Sequence, residues 1–157
     1  MTLPRLANPR FQTEQGFRVT VQVPELHSQK IIDAVLAVAN LKYGDYDRVT
    51  FSTDSGSQQF RSLGSGRNAA TDDVMAVPCV EVSFFLPDDE ADTIKVLTQV
   101  YAAHPYEEPV VFVAPCLRCL HVRGTDEEGC IPSAYVVAES IQSCLGKPTH
   151  LGIAQVV

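Results

Sequence analysis

Three groups of residues have the types and spacing needed for chemistry. The first group is an imidazole, a phenol and two carboxylates, from His104, Tyr106, Glu107 and Glu108. Pro105 and Pro109 bracket the last three of these residues. Each proline biases the residue before it towards extended backbone, so the segment is stiff and the preceding helix must end near Ala103. These four residues are candidates for binding a ligand or for contacting another subunit. The sequence alone does not choose between the two.

The second group contains thiols and another imidazole. Cys116, Cys119 and His121 form a C-x-x-C-x-H cluster, and Cys130 follows nine residues later. Thiolates and imidazole are usual ligands of tetrahedral zinc, so these four residues are a candidate site for zinc or copper. The alternative is inert, buried cysteines. On a continuous strand Cys116 and Cys119 point to opposite faces, whereas Cys119 and His121 share one.

The third group lies in a loop between residues 64 and 73 that is rich in glycine, serine and asparagine. Backbone amides near Gly64 and Gly66, with the side chain of Arg67, are candidates for contacting a nucleotide phosphate. The loop lacks the lysine and the helix start of a P-loop, and glycines at a hairpin exit commonly serve backbone conformation. The composition therefore favours an exposed, mobile loop over a phosphate site.

A catalytic site is not evident in the sequence. Cys119 and His121 are close enough to act as nucleophile and base, but no acidic residue or oxyanion-binding motif stands in a position to complete the pair. We therefore expect a protein without catalytic activity.

Length and composition narrow the class of protein. The 157 residues suffice for one domain with its own core. A net charge of −7, from 12 basic and 19 acidic residues, argues against nucleic acid as a partner. No apolar run has the length of a signal-peptide core or a membrane span. Five cysteines do not make a disulfide framework, so the cytoplasm is the expected compartment.

The elements that position these groups follow from hydrophobic periodicity. Alternation or a short apolar run predicts five strands, over residues 17–23, 48–53, 58–63, 79–86 and 110–113. Three- and four-residue spacing of apolar residues predicts helices over 28–40 and 90–102. The Asp-Ser-Gly sequence at 54–56 predicts a chain reversal between the second and third strands.

This order is the split βαβ plan of a ferredoxin-like α+β fold, βαββαβ, with both helices on one face of an antiparallel sheet. An extra hairpin and a C-terminal extension are added to it. The predicted organisation is a lead-in over residues 1–16, the ferredoxin-like domain over 17–115 and the extension over 116–157. Both parities of residues 80–86 include apolar side chains, so we expect the second sheet face to meet another subunit.

The segment 104–109 resembles the hallmark of the insert domain in Nif-three-like proteins. The run Gly44-Asp45-Tyr46 and the stretch from Phe51 to Gly64 resemble the same domain in order and spacing. A shorter version of the motif, His-Pro-Tyr-Glu with a later proline, is similar to the CutA proteins. Both groups belong to a trimeric, ferredoxin-like superfamily that also contains the P-II signalling proteins.

The resemblance implies a homotrimer that senses or binds small molecules in clefts between subunits, with the mobile loop passing the signal to a partner protein. It does not extend to the metal ligands of Nif-three-like proteins, which lie in a larger domain with no counterpart in these residues. Two alternatives stay open. One is a zinc- or copper-binding protein that uses Cys116, Cys119 and His121, and the other is an oligomer with a purely structural role.

Overall fold

A computed structural model describes residues 3–123 of the chain. Its elements follow in the order β1 (Phe11–Val23), α1 (Ser28–Leu36), β2 (Phe51–Ser52), β3 (Gly56–Phe60), β4 (Met75–Pro87), α2 (Glu90–Ala103) and β5 (Val110–His121). A short 3-10 turn, Glu25–His27, precedes α1. In this part of the chain, neither α-helix is long and apolar enough to cross a membrane.

The sheet has the predicted ferredoxin-like topology. Its strands lie in the order β2, β4, β1, β5, and the described pairings are all antiparallel. Each helical connection therefore skips one strand, which is the arrangement of the split βαβ plan. The predicted α+β fold class is confirmed.

The core lies between the sheet and the two helices. Val19, Val21 and Val23 of β1 are fully buried, and they stand opposite Phe84, Val82 and Val80 of β4. The helices cover them with Ile31, Val35, Val96 and Val100. Burying each such side chain stabilises the fold by about 1.5–3 kcal/mol. Because successive strand residues alternate, the even-numbered positions of β1 lie on the opposite face, which we call the outer face.

The chain reversal predicted at residues 54–56 is wrong. β2 and β3 both pair antiparallel with β4, so the chain continues along one edge of the sheet. The register pairs Ser52 with Val82 and Gly56 with Cys79. Residues 53–55 thus oppose two residues of β4, which is a β-bulge. The reversal lies at 61–74, and the extra hairpin consists of β3 and the start of β4. Asp, Ser and Gly suit a bulge as well as a turn, which explains the error.

β1 and β5 extend beyond the predicted domain limits. The two strands pair continuously, from Phe11 opposite His121 to Gln22 opposite Val110. The limits at residues 17 and 115 therefore fall inside strands, and the compact unit reaches Val122. From residue 124 onwards the predicted C-terminal extension lies outside the described residues.

Candidate functional site

His104 ties the end of α2 to the central strand. It has extended backbone at the helix C-terminus, as expected of the residue before Pro105. Its buried ring places Nε2 3.0 Å from the carbonyl oxygen of Gln22, and Nδ1 accepts the N–H of Tyr106 at 3.1 Å. A backbone N–H only donates, so Nδ1 is unprotonated and Nε2 carries the proton. Both ring nitrogens are thus used within the fold.

Tyr106 packs between His104 and the extra hairpin. Its ring centroid lies 5.3 Å from that of His104 in an edge-on arrangement and 6.0 Å from that of Phe60 in β3. Burial raises the pKa of the Tyr106 phenol, and the nearby Cys79 adds to the rise. The phenol is therefore protonated at neutral pH. The ring connects the turn after α2 to the hairpin.

Glu107 joins this turn to the loop over residues 61–74. Its carboxylate accepts the backbone N–H of Arg67 at 3.1 Å and lies 3.6 Å from Arg67 Nε. A Cβ added at Gly66 would lie 3.2 Å from the same carboxylate, so the loop passes close to it. The Arg67 and Glu107 side chains are 85% and 45% exposed. An ion pair so exposed contributes less than about 1 kcal/mol. The structure therefore brings the turn that contains Glu107 and the loop that contains Arg67 together through a weak contact.

The other two residues of these predicted groups, Gly64 and Glu108, make no contact between the turn and the loop among the described hydrogen bonds and ion pairs. Gly64 has a φ of +80°, and a Cβ there would lie 3.0 Å from the backbone nitrogen of Ala70. Its backbone conformation alone favours glycine. Glu108 is exposed on the turn.

Three polar side chains on the outer face form a chain of hydrogen bonds, which we call the amide relay. Nε2 of Gln22 donates to Oε1 of Glu81 at 2.9 Å, and Nε2 of Gln58 donates to Oε1 of Gln22 at 3.1 Å. An ionised carboxylate only accepts, so Glu81 sets the orientation of both amides. Oε1 of Gln58 is left buried, with no hydrogen-bond partner within the described residues. Such an atom costs about 1–3 kcal/mol.

The amide relay lines a cavity of about 240 Å³, which we call the relay cleft. The remaining lining residues come from the bulge, β3 and β4, and they are Thr53, Asp54, Gly56, Ser57 and Cys79. The bulge is held against Glu81, whose N–H donates to Thr53 Oγ1 at 2.9 Å and whose carbonyl accepts the Thr53 N–H at 3.0 Å. Two of the described lining residues are acidic and none is basic.

Cys79 is a buried wall of the relay cleft. Burial raises the pKa of its thiol, a backbone hydrogen bond from Val23 opposes the rise, and the charge of Glu81 adds to it. The thiol is therefore protonated at neutral pH and is a poor nucleophile. Together, the side chains of the relay cleft can donate and accept hydrogen bonds, which suits ligand binding.

The cysteine cluster is not assembled within the described residues. β5 continues to His121, so Cys116 and Cys119 point to opposite faces, and His121 shares the face of Cys119. In the part of the chain that the structure describes, no group of three or more His, Cys, Asp or Glu side chains is placed to hold a metal. Cys130 lies outside that part.

Arg118 lies at the centre of a partly buried cluster that no sequence motif predicts. Its Nε and Nη2 lie 2.7 and 2.6 Å from Oε2 of Glu14, and Nη1 donates to the carbonyl of Lys42. The guanidinium carbon lies 4.1 Å from the ring centroid of Phe85 and 5.3 Å from that of Tyr43. We call Arg118, Glu14, Phe85 and Tyr43 the Arg118 clamp. The sequence feature that could have indicated this cluster is a basic residue in the otherwise largely apolar strand β5.

Two further contacts hold the Arg118 clamp in place. The hydroxyl of Tyr43 donates to the carbonyl of Cys119 at 2.6 Å. The ring of Phe85 covers Gly16, where an added Cβ would lie 2.4 Å from the ring and 2.1 Å from the carbonyl oxygen of Leu86. Glycine is thus required at this position by packing.

Comparison with known proteins relates this architecture to solved structures. No protein-family model and no curated protein matches the chain. A Bacillus cereus protein related to NIF3 is similar, with a TM-score of 0.55 and 27% sequence identity over 66% of this chain. The match covers 26% of the B. cereus protein, so this chain corresponds to about a quarter of it.

Two divalent ion tolerance proteins are also similar. The Cut A1 protein of Thermus thermophilus matches at 16% identity, with a TM-score of 0.46, over 73% of this chain and 89% of its own. CutA1 of Ehrlichia chaffeensis matches at 9% identity, with a TM-score of 0.47, over 86% and 98%. Such likeness concerns the fold alone. The match to the B. cereus protein confirms the predicted resemblance to Nif-three-like proteins, and the strand order shows that the fold is ferredoxin-like.

Proposed function

We propose that this protein is a non-catalytic regulatory protein that assembles as a homotrimer and binds a small molecule in clefts between its subunits. The observation that carries the proposal is the relay cleft, whose amides, hydroxyls and carboxylates surround a cavity beside the outer face, where another subunit would pack. A small molecule bound there would exchange hydrogen bonds with these side chains.

The outer face supports assembly. Phe51 of β2 and Phe112 of β5 are 62% and 56% exposed, and their register partners Ser83 and Thr20 place both on this face. The helices cover the other face of the sheet. Exposed aromatic side chains on a sheet face indicate a protein contact. Three copies is the number that the resemblance to CutA and P-II proteins implies.

A route from the relay cleft to the loop supports a regulatory role. Gln58 lies two residues before the end of β3, and Phe60 at that end contacts Tyr106. The loop over residues 61–74 follows, and the described contact between it and the turn after α2 is the weak pairing of Arg67 with Glu107. A ligand that displaces Gln58 would reorder this loop, and a partner protein would recognise the changed surface.

The test combines mass in solution with ligand-dependent unfolding temperature. Light scattering on the 17.1 kDa chain gives the number of copies. A panel of ATP, small amines and divalent cations then identifies ligands that raise Tm by mass action. We expect a trimer whose Tm rises with one class of ligand. A monomer contradicts the assembly, and a trimer without any ligand response contradicts the binding role in favour of a structural oligomer.

A matched pair of variants sharpens this test. Phe112→Asp places a charge on the outer face, whereas Tyr101→Asp changes an aromatic residue of α2 that is also 56% exposed. We expect the first variant to dissociate the assembly and the second to leave it intact. Equal masses for the two variants would show that the outer face is not the contact.

Metal binding is the second proposal. The specific observation in its favour is that Cys119 is an exposed residue and shares a face of β5 with His121. Elemental analysis of zinc and copper, on protein purified without a chelator, addresses it. Near-stoichiometric metal that is lost in Cys119→Ser would favour this function, and metal-free protein would oppose it.

A further inference from the structure

We propose that His104 is a pH-sensitive switch: protonation of its ring displaces the turn over residues 105–109 and thereby frees the loop over residues 61–74. The inference goes beyond the proposed function, because it requires neither a trimer nor a bound ligand. It rests on the two hydrogen bonds of one buried ring and on the contacts that the turn makes with the loop and the extra hairpin.

The buried ring of His104 uses its two nitrogens in opposite ways. Nε2 lies 3.0 Å from the carbonyl oxygen of Gln22 and donates to it, and Nδ1 accepts the N–H of Tyr106 at 3.1 Å. A second proton on the ring must be carried by Nδ1, because Nε2 already holds one. Nδ1–H and the N–H of Tyr106 would then be two donors that face each other. Protonation therefore breaks this hydrogen bond.

The turn is the part that moves. The carbonyl oxygen of Gln22 can accept from Nε2 in both forms of the ring, and a charged donor strengthens the bond. Gln22 belongs to β1, which pairs with β4 on one side and with β5 on the other. Residues 105–109 belong to no helix or strand. The two facing donors are therefore relieved by displacement of the turn, while the ring stays bound to β1.

The turn makes the contacts that transmit its displacement. The ring of Tyr106 packs against Phe60, the last residue of β3, with 6.0 Å between the ring centroids. The carboxylate of Glu107 accepts the N–H of Arg67 at 3.1 Å, in a contact whose side chains are largely exposed. Both contacts depend on the position of the turn. Its displacement therefore loosens the loop at its start, after Phe60, and at Arg67.

The surrounding charges do not hold a protonated ring in place. Within the described residues His104 forms no ion pair, and β1 has no titratable side chain from Val19 to Val23. Histidine is the side chain that ordinarily changes charge between about pH 5 and 8. The titratable side chains on the other neighbouring elements are Cys79 and Glu81 of β4, Tyr106, Glu107 and Glu108 of the turn, and the exposed Lys30 and Asp33 of α1.

The experiment is a series of NMR spectra and amide hydrogen-exchange measurements on the full chain, from about pH 7.5 to about pH 5.5. Exchange is expressed as protection relative to an unstructured peptide at the same pH. His104→Asn removes the titrating ring but keeps an acceptor, because an asparagine side chain can accept the N–H two residues ahead. His27→Asn removes an exposed imidazole before α1 and is the matched control.

In wild-type protein the protection of the Tyr106 amide should fall by about tenfold over this range, as the loss of one hydrogen bond implies. The protection of the Arg67 amide should fall with it, and amides in the centre of β1 should keep theirs. His104→Asn should show no such fall, whereas His27→Asn should respond to acid as wild type does. In the spectra, the Tyr106 amide and the His104 ring should change at the same pH.

Three outcomes of the exchange measurements would overturn the inference. They are unchanged protection of the Tyr106 amide, an equal fall in His104→Asn and wild type, and a fall that the amides of β1 share, which would be global unfolding. If His104→Asn does not fold, the wild-type spectra decide alone. A Tyr106 amide signal that changes at a different pH from the His104 ring would then refute the switch.

Discussion

The relay cleft and the Arg118 clamp are polar clusters on one sheet, near opposite ends of β1, and each is organised by a glutamate. At the clamp, Glu14 pairs with Arg118, whose side chain is only 12% exposed. At the cleft, Glu81 orients two amides that line a cavity, and Oε1 of Gln58 has no hydrogen-bond partner among the described residues. A cluster whose groups pair with one another stabilises the fold, whereas polar side chains that line a cavity are suited to binding.

The largest expected effect comes from breaking the Arg118 clamp. Arg118→Ala removes the ion pair with Glu14, the hydrogen bond to the carbonyl of Lys42 and the stack on Phe85, so we expect the free energy of unfolding to fall by about 3 kcal/mol. Chemical denaturation measures it. Arg18→Ala is the control, because Arg18 is exposed on the same face and makes a long hydrogen bond of 3.3 Å to Ser83 Oγ. Equal losses for the two variants would show that the clamp has no special role.

For His104→Phe we expect the free energy of unfolding to fall by about 2 kcal/mol. The substitution keeps an aromatic ring but leaves the carbonyl of Gln22 and the N–H of Tyr106 without their described partner. His27→Phe, at an exposed position before α1, should change stability by less than about 0.5 kcal/mol. Unfolding by denaturant compares them. Unchanged stability of His104→Phe would mean that this residue is not structural and would return it to the ligand-binding candidates.

A smaller effect should appear at alkaline pH through Cys79, whose pKa burial raises above the ordinary value of 9.0. The unfolded chain ionises this thiol near pH 9.0 while the folded chain keeps its proton. The stabilisation is therefore complete below the unfolded value and is lost as pH rises through the folded value. Between about pH 8 and 10, wild-type protein should lose more unfolding free energy than Cys79→Ala. The exposed Cys119→Ala should follow wild type, and identical slopes for all three would contradict this assignment.

The smallest effect on stability is expected at the loop. Glu107→Ala removes both the exposed ion pair with Arg67 and the acceptor of the Arg67 N–H, and it should cost less than about 1 kcal/mol. Hydrogen exchange over residues 61–74 should nevertheless become faster, since this pairing is the described tether of the loop. Arg61→Ala, in the same loop, is the control. A large loss of stability, or unchanged exchange, would show that the loop is held by other contacts.

The fold was largely predictable because its signals are local. Alternating valines marked β1, and Pro105 marked the end of α2 at Ala103. The bulge at residues 53–55 was missed because a turn and a bulge share the same composition. The ends of β1 and β5 were placed inside the strands, since polar residues such as Gln12 and Arg118 hide the alternation there.

The candidate site was predictable only in parts. The sequence singled out His104, Tyr106, Glu107 and the loop around Arg67, and the structure brings these residues together. The sequence did not indicate that Gln22, Gln58 and Glu81 form a cluster, because glutamine and glutamate are common on strands when each is considered alone. Their relation depends on strand register, which joins positions 22, 58 and 81 across three strands.

The sequence by itself determined the elements, the ferredoxin-like plan and the stiff turn at 104–109, because hydrophobic period and proline geometry act over a few residues. Only the tertiary structure decided which polar groups are paired. It set Arg118 against Glu14 and left Oε1 of Gln58 buried without a hydrogen-bond partner among the described residues. The physical reason is that a hydrogen bond requires atoms within about 3 Å, and residues far apart in sequence reach that distance only through packing and register.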